Sequence, residues 1–131
     1  NLSDSINAID WRRKVKQAGL VAYYRGLIAL RKAVPAFRMK SAEEIRRRLV
    51  FLAMPAAGMA GYCVKGEDAD PKTKAVAVVF NATADRQEVK LPEPGWRVLA
   101  DGQNAGVKCL RRIKGNACVV EPRSALVLAK A

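Results

Sequence analysis

The chain has 131 residues, of which 50% are hydrophobic, and its 24 Lys and Arg against 12 Asp and Glu give a formal net charge of +12. This composition excludes a disordered tail and a low-complexity segment, and the length suffices for one ordinary core. No apolar run approaches the roughly 20 residues that a membrane-spanning helix needs. Histidine is absent from the sequence, which removes the commonest general base and metal ligand.

The N-terminal part of the chain predicts two helical segments. Residues 1–11 are rich in cap and turn formers, and Asp10 can cap a first helical turn over residues 11–16. After a predicted break at Gly19, the segment Leu20–Val34 has helical periodicity, and Pro35 ends it because proline has no N–H for the hydrogen-bond ladder.

The predicted main helix is amphipathic. Its apolar residues fall on one face at 100° per residue: Leu20, Tyr23, Tyr24, Leu27, Leu30 and Val34. Since the rest of the chain predicts short strands, this face needs a partner surface. We expect it either to fold onto those strands or to pair with a second copy of the chain. The mismatch also suggests that the chain is a piece of something larger.

A capping box at Ser41-Ala-Glu-Glu44 predicts a short helix through Arg48, with the triplet Arg46–Arg48 on solvated directions. Beyond it the period becomes strand-like, with turn signals every 8 to 12 residues, which favours an antiparallel β-sandwich. The run Ala75–Phe80 predicts the central strand. The candidate strands are Leu49–Ala53, Met59–Lys65, Ala75–Ala82, Gln87–Leu91, Arg97–Ala100, Val107–Ile113, Ala117–Glu121 and Ala125–Ala129.

No constellation in the sequence predicts a self-contained active site. The acidic residues are scattered over turns, and the cluster Glu67-Asp68-Ala-Asp70 lacks the ligand count of a calcium loop. Ser124 and the three cysteines have no histidine to activate them. Cys63 and Cys118 lie in alternating apolar runs, where buried thiols are expected, although one disulfide among the three remains open. We therefore predict no catalytic residue, no metal and no cofactor.

Two binding hypotheses remain. Trp96 and Tyr62 could serve as sugar platforms, but an aromatic residue that opens a strand more often closes the end of a sandwich. The net charge suggests a nucleic acid, and residues 1–50 alone hold 12 basic against 4 acidic residues. The basic clusters at 46–48 and 111–114 lack adjacent aromatic residues for base stacking, so this alternative is the weaker one.

Several motifs carry a resemblance to a known family. They are Asp4-Ser-Ile-Asn-Ala-Ile-Asp-Trp11, Tyr23-Tyr-Arg-Gly-Leu-Ile-Ala-Leu-Arg-Lys-Ala-Val-Pro-Ala-Phe-Arg38, Ser41-Ala-Glu-Glu-Ile-Arg46, Val79-Phe-Asn81, Trp96-Arg-Val-Leu-Ala-Asp-Gly102 and Ser124-Ala-Leu-Val-Leu128. Together they resemble the C-terminal part of bacterial type I pullulanases, the α-1,6-glucan debranching enzymes of the α-amylase superfamily. The resemblance covers essentially the whole chain.

The resemblance implies a division of the chain at residue 40. Residues 1–40 would be the tail of a catalytic β/α barrel, with the Leu20–Val34 helix as the last helix of that barrel, and residues 41–131 would be the C-terminal β-sandwich. The catalytic carboxylates of the family lie upstream, so none is carried over. Asp4 and Asn7 fall in a loop that lies near the glucan in the family. They are therefore candidate substrate contacts, or else they cap the turn before Trp11.

The functional expectation follows from this resemblance. The chain would be a non-catalytic fragment of a debranching enzyme that hydrolyses α-1,6-glucosidic bonds in pullulan and branched α-glucans, and it would stabilise the barrel. Its implied partners are the barrel and, in the intact enzyme, an α-glucan; a membrane is not among them, and a dimer through the exposed helix is open. The implied source is bacterial, with cytoplasmic and secreted locations both open. An accessory glucan-binding sandwich is the alternative function.

Overall fold

The computed structural model describes residues 8–66 and 73–130. Within these ranges, three α-helices and one 3-10 helix precede the strands: α1 (Arg12–Lys16), α2 (Ala18–Ala33), the 3-10 helix (Pro35–Arg38) and α3 (Ala42–Arg48). The predicted break at Gly19 is wrong, because Gln17 separates α1 from α2 with non-helical angles of φ −109° and ψ 35°. The predicted end is confirmed, since Val34 before Pro35 adopts an extended conformation.

The predicted cap of α3 is present. The Ser41 Oγ accepts a hydrogen bond from the Glu44 N–H at 3.1 Å, and the Glu44 carboxylate accepts one from the Lys40 N–H at 3.1 Å. The prediction of a solvated arginine triplet is wrong for Arg48, which is buried. Its guanidinium donates to the Lys65 carbonyl oxygen at 2.8 Å and pairs with Glu44, because α3 leads directly into the first strand.

Eight strands follow the helices in the part of the chain that the structure describes. They are β1 (Leu49–Phe51), β2 (Met59–Lys65), β3 (Ala75–Asn81), β4 (Gln87–Lys90), β5 (Trp96–Ala100), β6 (Arg111–Arg112), β7 (Ala117–Val120) and β8 (Ser124–Lys130). Six of them form an antiparallel sheet in the order β1-β2-β3-β8-β5-β6, and β4 pairs with β7 in a second, two-stranded sheet. The strand β3 lies inside the larger sheet and pairs with β2 and β8 along its whole length, which confirms its predicted central position.

The strand predicted at Val107–Ile113 is mostly absent. Only Arg111 and Arg112 pair with β5, while the preceding residues form turns around the isolated bridge between Ala100 and Ala105. Val107 is exposed in consequence. Alternating apolar residues in this segment therefore indicate a loop laid along the sheet edge rather than a continuous strand.

The larger sheet is covered on both faces. One face packs against the two-stranded sheet, which confirms the β-sandwich, and this first core contains Cys63, Ala77, Val79, Val89, Leu91, Trp96, Val98, Cys118, Val120, Leu126 and Leu128. The opposite face packs against the helices in a second core of Leu30, Val34, Ala36, Val64, Val76, Leu99, Ala100 and Ala129. Neighbouring residues of β3 and β8 alternate between the two cores, as a pleated sheet requires, whereas Leu99 and Ala100 both enter the second core where the register of β5 shifts.

The helix α2 folds onto the sheet with only part of its predicted apolar face. Leu27, Leu30 and Val34 pack into the second core. Leu20 and Tyr24, predicted on the same face, remain more than half exposed. At 100° per residue the two groups lie on average about 70° apart around the helix axis. The prediction of one buried face is therefore wrong, and α2 carries two apolar strips of which the sheet covers one.

Candidate functional site

Two sets of predicted site residues lie outside the described residues. Asp4 and Asn7, the candidate substrate contacts, are in residues 1–7, and the acidic cluster of Glu67, Asp68 and Asp70 is in residues 67–72. In the described ranges, no three His, Cys, Asp or Glu side chains come together as a potential metal site. None of the helices in those ranges has the length and apolarity to cross a membrane.

Most of the described acids are held in separate ion pairs. Asp101 accepts hydrogen bonds from the Gln103 and Asn104 N–H groups, each at 3.0 Å, and from Arg111 at 2.6 Å. Burial acts to raise the pKa of Asp101, but these hydrogen bonds outweigh it and the net shift is downward. Glu93 pairs with Lys130, whose hydrogen bond and charge lower the pKa of Glu93. Both carboxylates therefore stay ionised and hold loops in place.

The two buried cysteines offer no activated nucleophile. All three lie in the described part of the chain and are free, with Cys63 and Cys118 buried as predicted and Cys109 exposed. Burial raises the pKa of the Cys118 thiol to about 11 and raises that of Cys63 as well. The buried thiols are thus protonated at neutral pH and behave as small apolar side chains.

The two aromatic residues proposed as sugar platforms are not free for that role. The Trp96 side chain is 2% exposed, and its indole N–H donates to the Glu93 carbonyl oxygen at 2.6 Å. Tyr62 packs against the second core, beneath the helices. The expectation that Trp96 closes the sandwich is confirmed, and its burial excludes a sugar site on that ring, while the partly buried Tyr62 is engaged in core packing.

An exposed apolar surface runs along the first two helices. We call it the helical apolar face; its members are Trp11, Val15, Leu20, Tyr24 and Ile28, and each of them is more than half exposed. Leu20, Tyr24 and Ile28 are spaced four residues apart, so they lie along one strip of α2. A contiguous apolar surface of this kind is typical of a face that another protein surface covers.

A second feature is an open groove with a volume of about 1300 Å³ at one end of the sandwich. We call it the end groove. One wall is the first turns of α2, the base is the end of β3 with Phe80 and Asn81, and two loops at residues 101–103 and 121–123 form the remaining walls. The groove is thus built where the helical part and the sandwich meet.

The buried amide of Asn81 fixes the base of the end groove. Its Nδ2 lies within hydrogen-bond distance of the carbonyl oxygens of Asp85 (2.9 Å), Val120 (3.2 Å) and Glu121 (3.0 Å). Its Oδ1 accepts from the backbone N–H and the hydroxyl of Thr83, at 3.0 and 2.7 Å. One side chain therefore ties β3 to the loop before β4 and to the end of β7.

The loop at residues 101–103 is tied to α2. The Tyr23 hydroxyl donates to the Asp101 carbonyl oxygen at 2.8 Å. Burial, with the nearby Asp101 charge, raises the pKa of Tyr23, so the phenol keeps the proton that it donates. Gly26, one turn further along α2, brings the helix backbone against the Ala105 carbonyl. The two contacts hold the walls of the end groove at a fixed separation.

Charged and apolar side chains share the surface of the end groove. Arg86 and Glu121 form a two-point pair, with Nε to Oε2 at 3.1 Å and Nη2 to Oε1 at 3.0 Å. Phe80 and Val119 are 47% and 41% exposed beside them. The groove therefore combines an apolar surface with planar hydrogen-bonding groups, and its two carboxylates, Asp101 and Glu121, are each paired with an arginine.

Comparison with known proteins identifies the family. Residues 12–125 match the family model described as alpha-1,6-glucosidases, pullulanase-type, C-terminal. The chain is 40% identical over 100 residues to the pullulanase of Bacillus subtilis strain 168, an alignment that covers 76% of this chain and 14% of the relative. The chain therefore belongs to the pullulanase-type α-1,6-glucosidase C-terminal family, as its motifs predict.

Solved pullulanase structures have the same fold. A pullulanase from Bacillus acidopullulyticus matches 99% of this chain at a TM-score of 0.90 and 31% identity, and the match covers 16% of that protein. The type I pullulanase of B. subtilis strain 168, solved with maltose, matches 99% of the chain at 0.86 and 34% identity, over 18% of its own length. The chain thus spans less than one fifth of the pullulanases that it matches.

Proposed function

We propose that the chain is the non-catalytic C-terminal part of a debranching enzyme that hydrolyses α-1,6-glucosidic bonds in pullulan and branched α-glucans. The observation that carries the proposal is the family match over residues 12–125. The described residues supply no catalytic carboxylate pair, and Glu93, Asp101 and Glu121 serve in structural ion pairs. In this proposal the hydrolytic residues belong to a catalytic barrel elsewhere in the enzyme.

The proposed role of the chain is to cover and stabilise that barrel. Residues 1–40 contribute the barrel's last helix, which is α2, and residues 41–131 form the sandwich. Support comes from the two apolar strips of α2, because a helix between a barrel and a sandwich has to bury two sides. The second core already covers one strip, and the helical apolar face is left for the barrel.

The proposal assigns glucan hydrolysis to the intact enzyme only. Asp4 and Asn7 stay candidate sugar contacts, in the part of the sequence that precedes α1. If the isolated chain forms a dimer through the helical apolar face, the cause is that no barrel covers this face, and the dimer does not indicate a second function. Such a dimer would bury the same exposed residues, Leu20, Tyr24 and Ile28.

A chimera tests the proposed function. The matched C-terminal segment of the B. subtilis pullulanase is replaced by this chain, and reducing ends released from pullulan are compared for the chimera, the truncated enzyme and the isolated chain. We expect turnover by the chimera, loss of most activity on truncation, and no turnover above blank for the isolated chain. Turnover by the isolated chain, or a folded chimera that cleaves no pullulan, would contradict the proposal.

A further inference from the structure

We propose that the end groove is an accessory binding site for a linear α-glucan segment, with Phe80 as its apolar platform. The choice of glucan over other saccharides rests on the proposed function. The site differs from one built on Trp96 or Tyr62, because both of those rings are packed in the cores. It also differs from the helical apolar face, which is formed by other side chains apart from Leu20 at the rim.

The size and the apolar part of the groove suit a sugar chain. Its volume of about 1300 Å³ exceeds the 300–1,000 Å³ of ordinary ligand pockets, and it is open to solvent along its length, as a site for part of a polymer has to be. Phe80 presents nearly half of its side chain on the surface of a central strand. An aromatic ring fixed in this way can pack against the C–H face of a pyranose.

The polar groups suit vicinal hydroxyls rather than an anion. The planar pair of Arg86 and Glu121 presents a donor fork next to a carboxylate, and the pair of Arg111 and Asp101 repeats that combination on the other wall. Because Arg86 and Arg111 are each paired with a carboxylate, their charges are compensated inside the groove, and Arg123 leaves a formal net charge of only +1 among the lining residues. A neutral polyhydroxylated ligand fits this balance better than a polyanion does.

The groove is rigid before any ligand binds. Asn81 and Tyr23 fix its base and one wall through hydrogen bonds to backbone carbonyls. Arg123 has a positive φ of 48°, so the loop that carries it is held in a left-handed conformation. A preformed site loses little conformational entropy on binding. A glucan can therefore bind at the protein surface even though its individual contacts are weak.

The position of the groove is consistent with a glucan that continues from the active site. In a β/α barrel each helix runs antiparallel to its strand, so the N-terminal end of α2 lies on the side of the barrel that carries the active site. The end groove is lined by that end of α2, at Gly19, Leu20 and Tyr23. Under the proposed function, a branch of the substrate can therefore reach it.

Binding by the 131-residue chain alone tests the site, since this experiment needs no catalysis. Migration of the chain in native gels with and without pullulan is compared for the wild type, Phe80→Ala and the matched control Phe51→Ala, whose side chain is exposed on the edge strand β1. We expect retardation of the wild type and the control, and about 5- to 10-fold weaker binding for Phe80→Ala. Retardation equal in all three proteins would overturn the site, and so would its absence from the wild type.

Titration of the wild type with maltoheptaose, followed by amide NMR, locates the contact without a substitution. We expect shifts at Gly102, Gln103 and Ser124, which line the groove, and none at Val50 on β1. Shifts confined to other surfaces would overturn the proposal. If the chimera is active but the isolated chain binds no glucan, the groove proposal is wrong and the proposed function stands. If the isolated chain binds glucan but a folded chimera is inactive, the proposed function is wrong and the groove proposal stands.

Discussion

Alanine at position 81 is expected to lower the free energy of unfolding by about 3–5 kcal/mol. The side chain of Asn81 is 2% exposed and serves five hydrogen-bonding atoms on two segments, residues 83–85 and 120–121. Removing it takes this partner from the Thr83 N–H and the Val120 carbonyl oxygen, at about 1–3 kcal/mol each before relaxation, while the Asp85 and Glu121 carbonyl oxygens keep the Thr83 and Ser124 hydroxyls. Urea unfolding followed by circular dichroism measures the effect.

Two further variants separate the hydrogen bonds from the lost volume. Asn81→Asp keeps the size of the side chain but places a carboxylate oxygen against carbonyl oxygens, so we expect it to destabilise at least as much at pH 7. Asn116→Ala removes an asparagine from an exposed turn and is expected to cost less than about 0.5 kcal/mol. A loss at Asn81→Ala no larger than that of Asn116→Ala would mean that Asn81 does not hold these loops.

Gly26→Ala and Gly19→Ala are expected to change stability in opposite directions although both lie in α2. A Cβ at position 26 would fall 1.9 Å from the Ala105 carbonyl oxygen, so the helix or the loop has to move. We expect a loss of about 1–3 kcal/mol despite the better helix propensity of alanine. The contact joins the helical part to the sandwich, so the variant also loosens the end groove.

Gly19 is the matched control. A Cβ there would meet nothing within 4 Å in the described structure, so Gly19→Ala is expected to stabilise by about 0.5–1 kcal/mol through helix propensity alone. Thermal unfolding of the two variants beside the wild type measures both effects. Stabilisation by Gly26→Ala would show that α2 does not lie against the loop at Ala105.

Much of the fold follows from local patterns. The capping box at Ser41, the stop at Pro35 and the β-branched run Ala75–Phe80 predict the start of α3, the end of α2 and the central strand, because each depends on neighbours in the chain. The failures depend on distant residues. Glycine at position 19 predicts a helix break, but the helix continues through it. The strand predicted at Val107–Ile113 is mostly absent because few of its residues have pairing partners at the sheet edge.

The candidate sites were less predictable than the fold. The end groove is formed by α2 together with loops about 80 and 100 residues further along the chain. Contacts between residues so far apart in the sequence cannot be predicted from a local pattern. Two signals were present in the sequence. A glycine inside a helix pattern, Gly26, indicates close approach of another backbone, and an asparagine that ends an apolar strand, Asn81, indicates a buried polar anchor.

The central claim, that the helical apolar face is buried against the catalytic barrel, is tested by the double variant Tyr24→Glu, Ile28→Glu. The variant is placed both in the isolated chain and in the B. subtilis chimera, and melting temperatures are measured for each. Exposed carboxylates cost little, whereas unpaired carboxylates buried in an interface cost several kcal/mol. A second double variant, Ala84→Glu with Asn116→Glu on exposed turns, is the matched control.

The account predicts that the isolated chain with Tyr24→Glu, Ile28→Glu melts within about 1–2 °C of its parent, while the chimera melts at least about 5 °C lower or loses its activity. The control pair is expected to leave both proteins within about 1–2 °C. A chimera that keeps its melting temperature with two glutamates on the helical apolar face would contradict the claim, since that face would then be in solvent in the intact enzyme too.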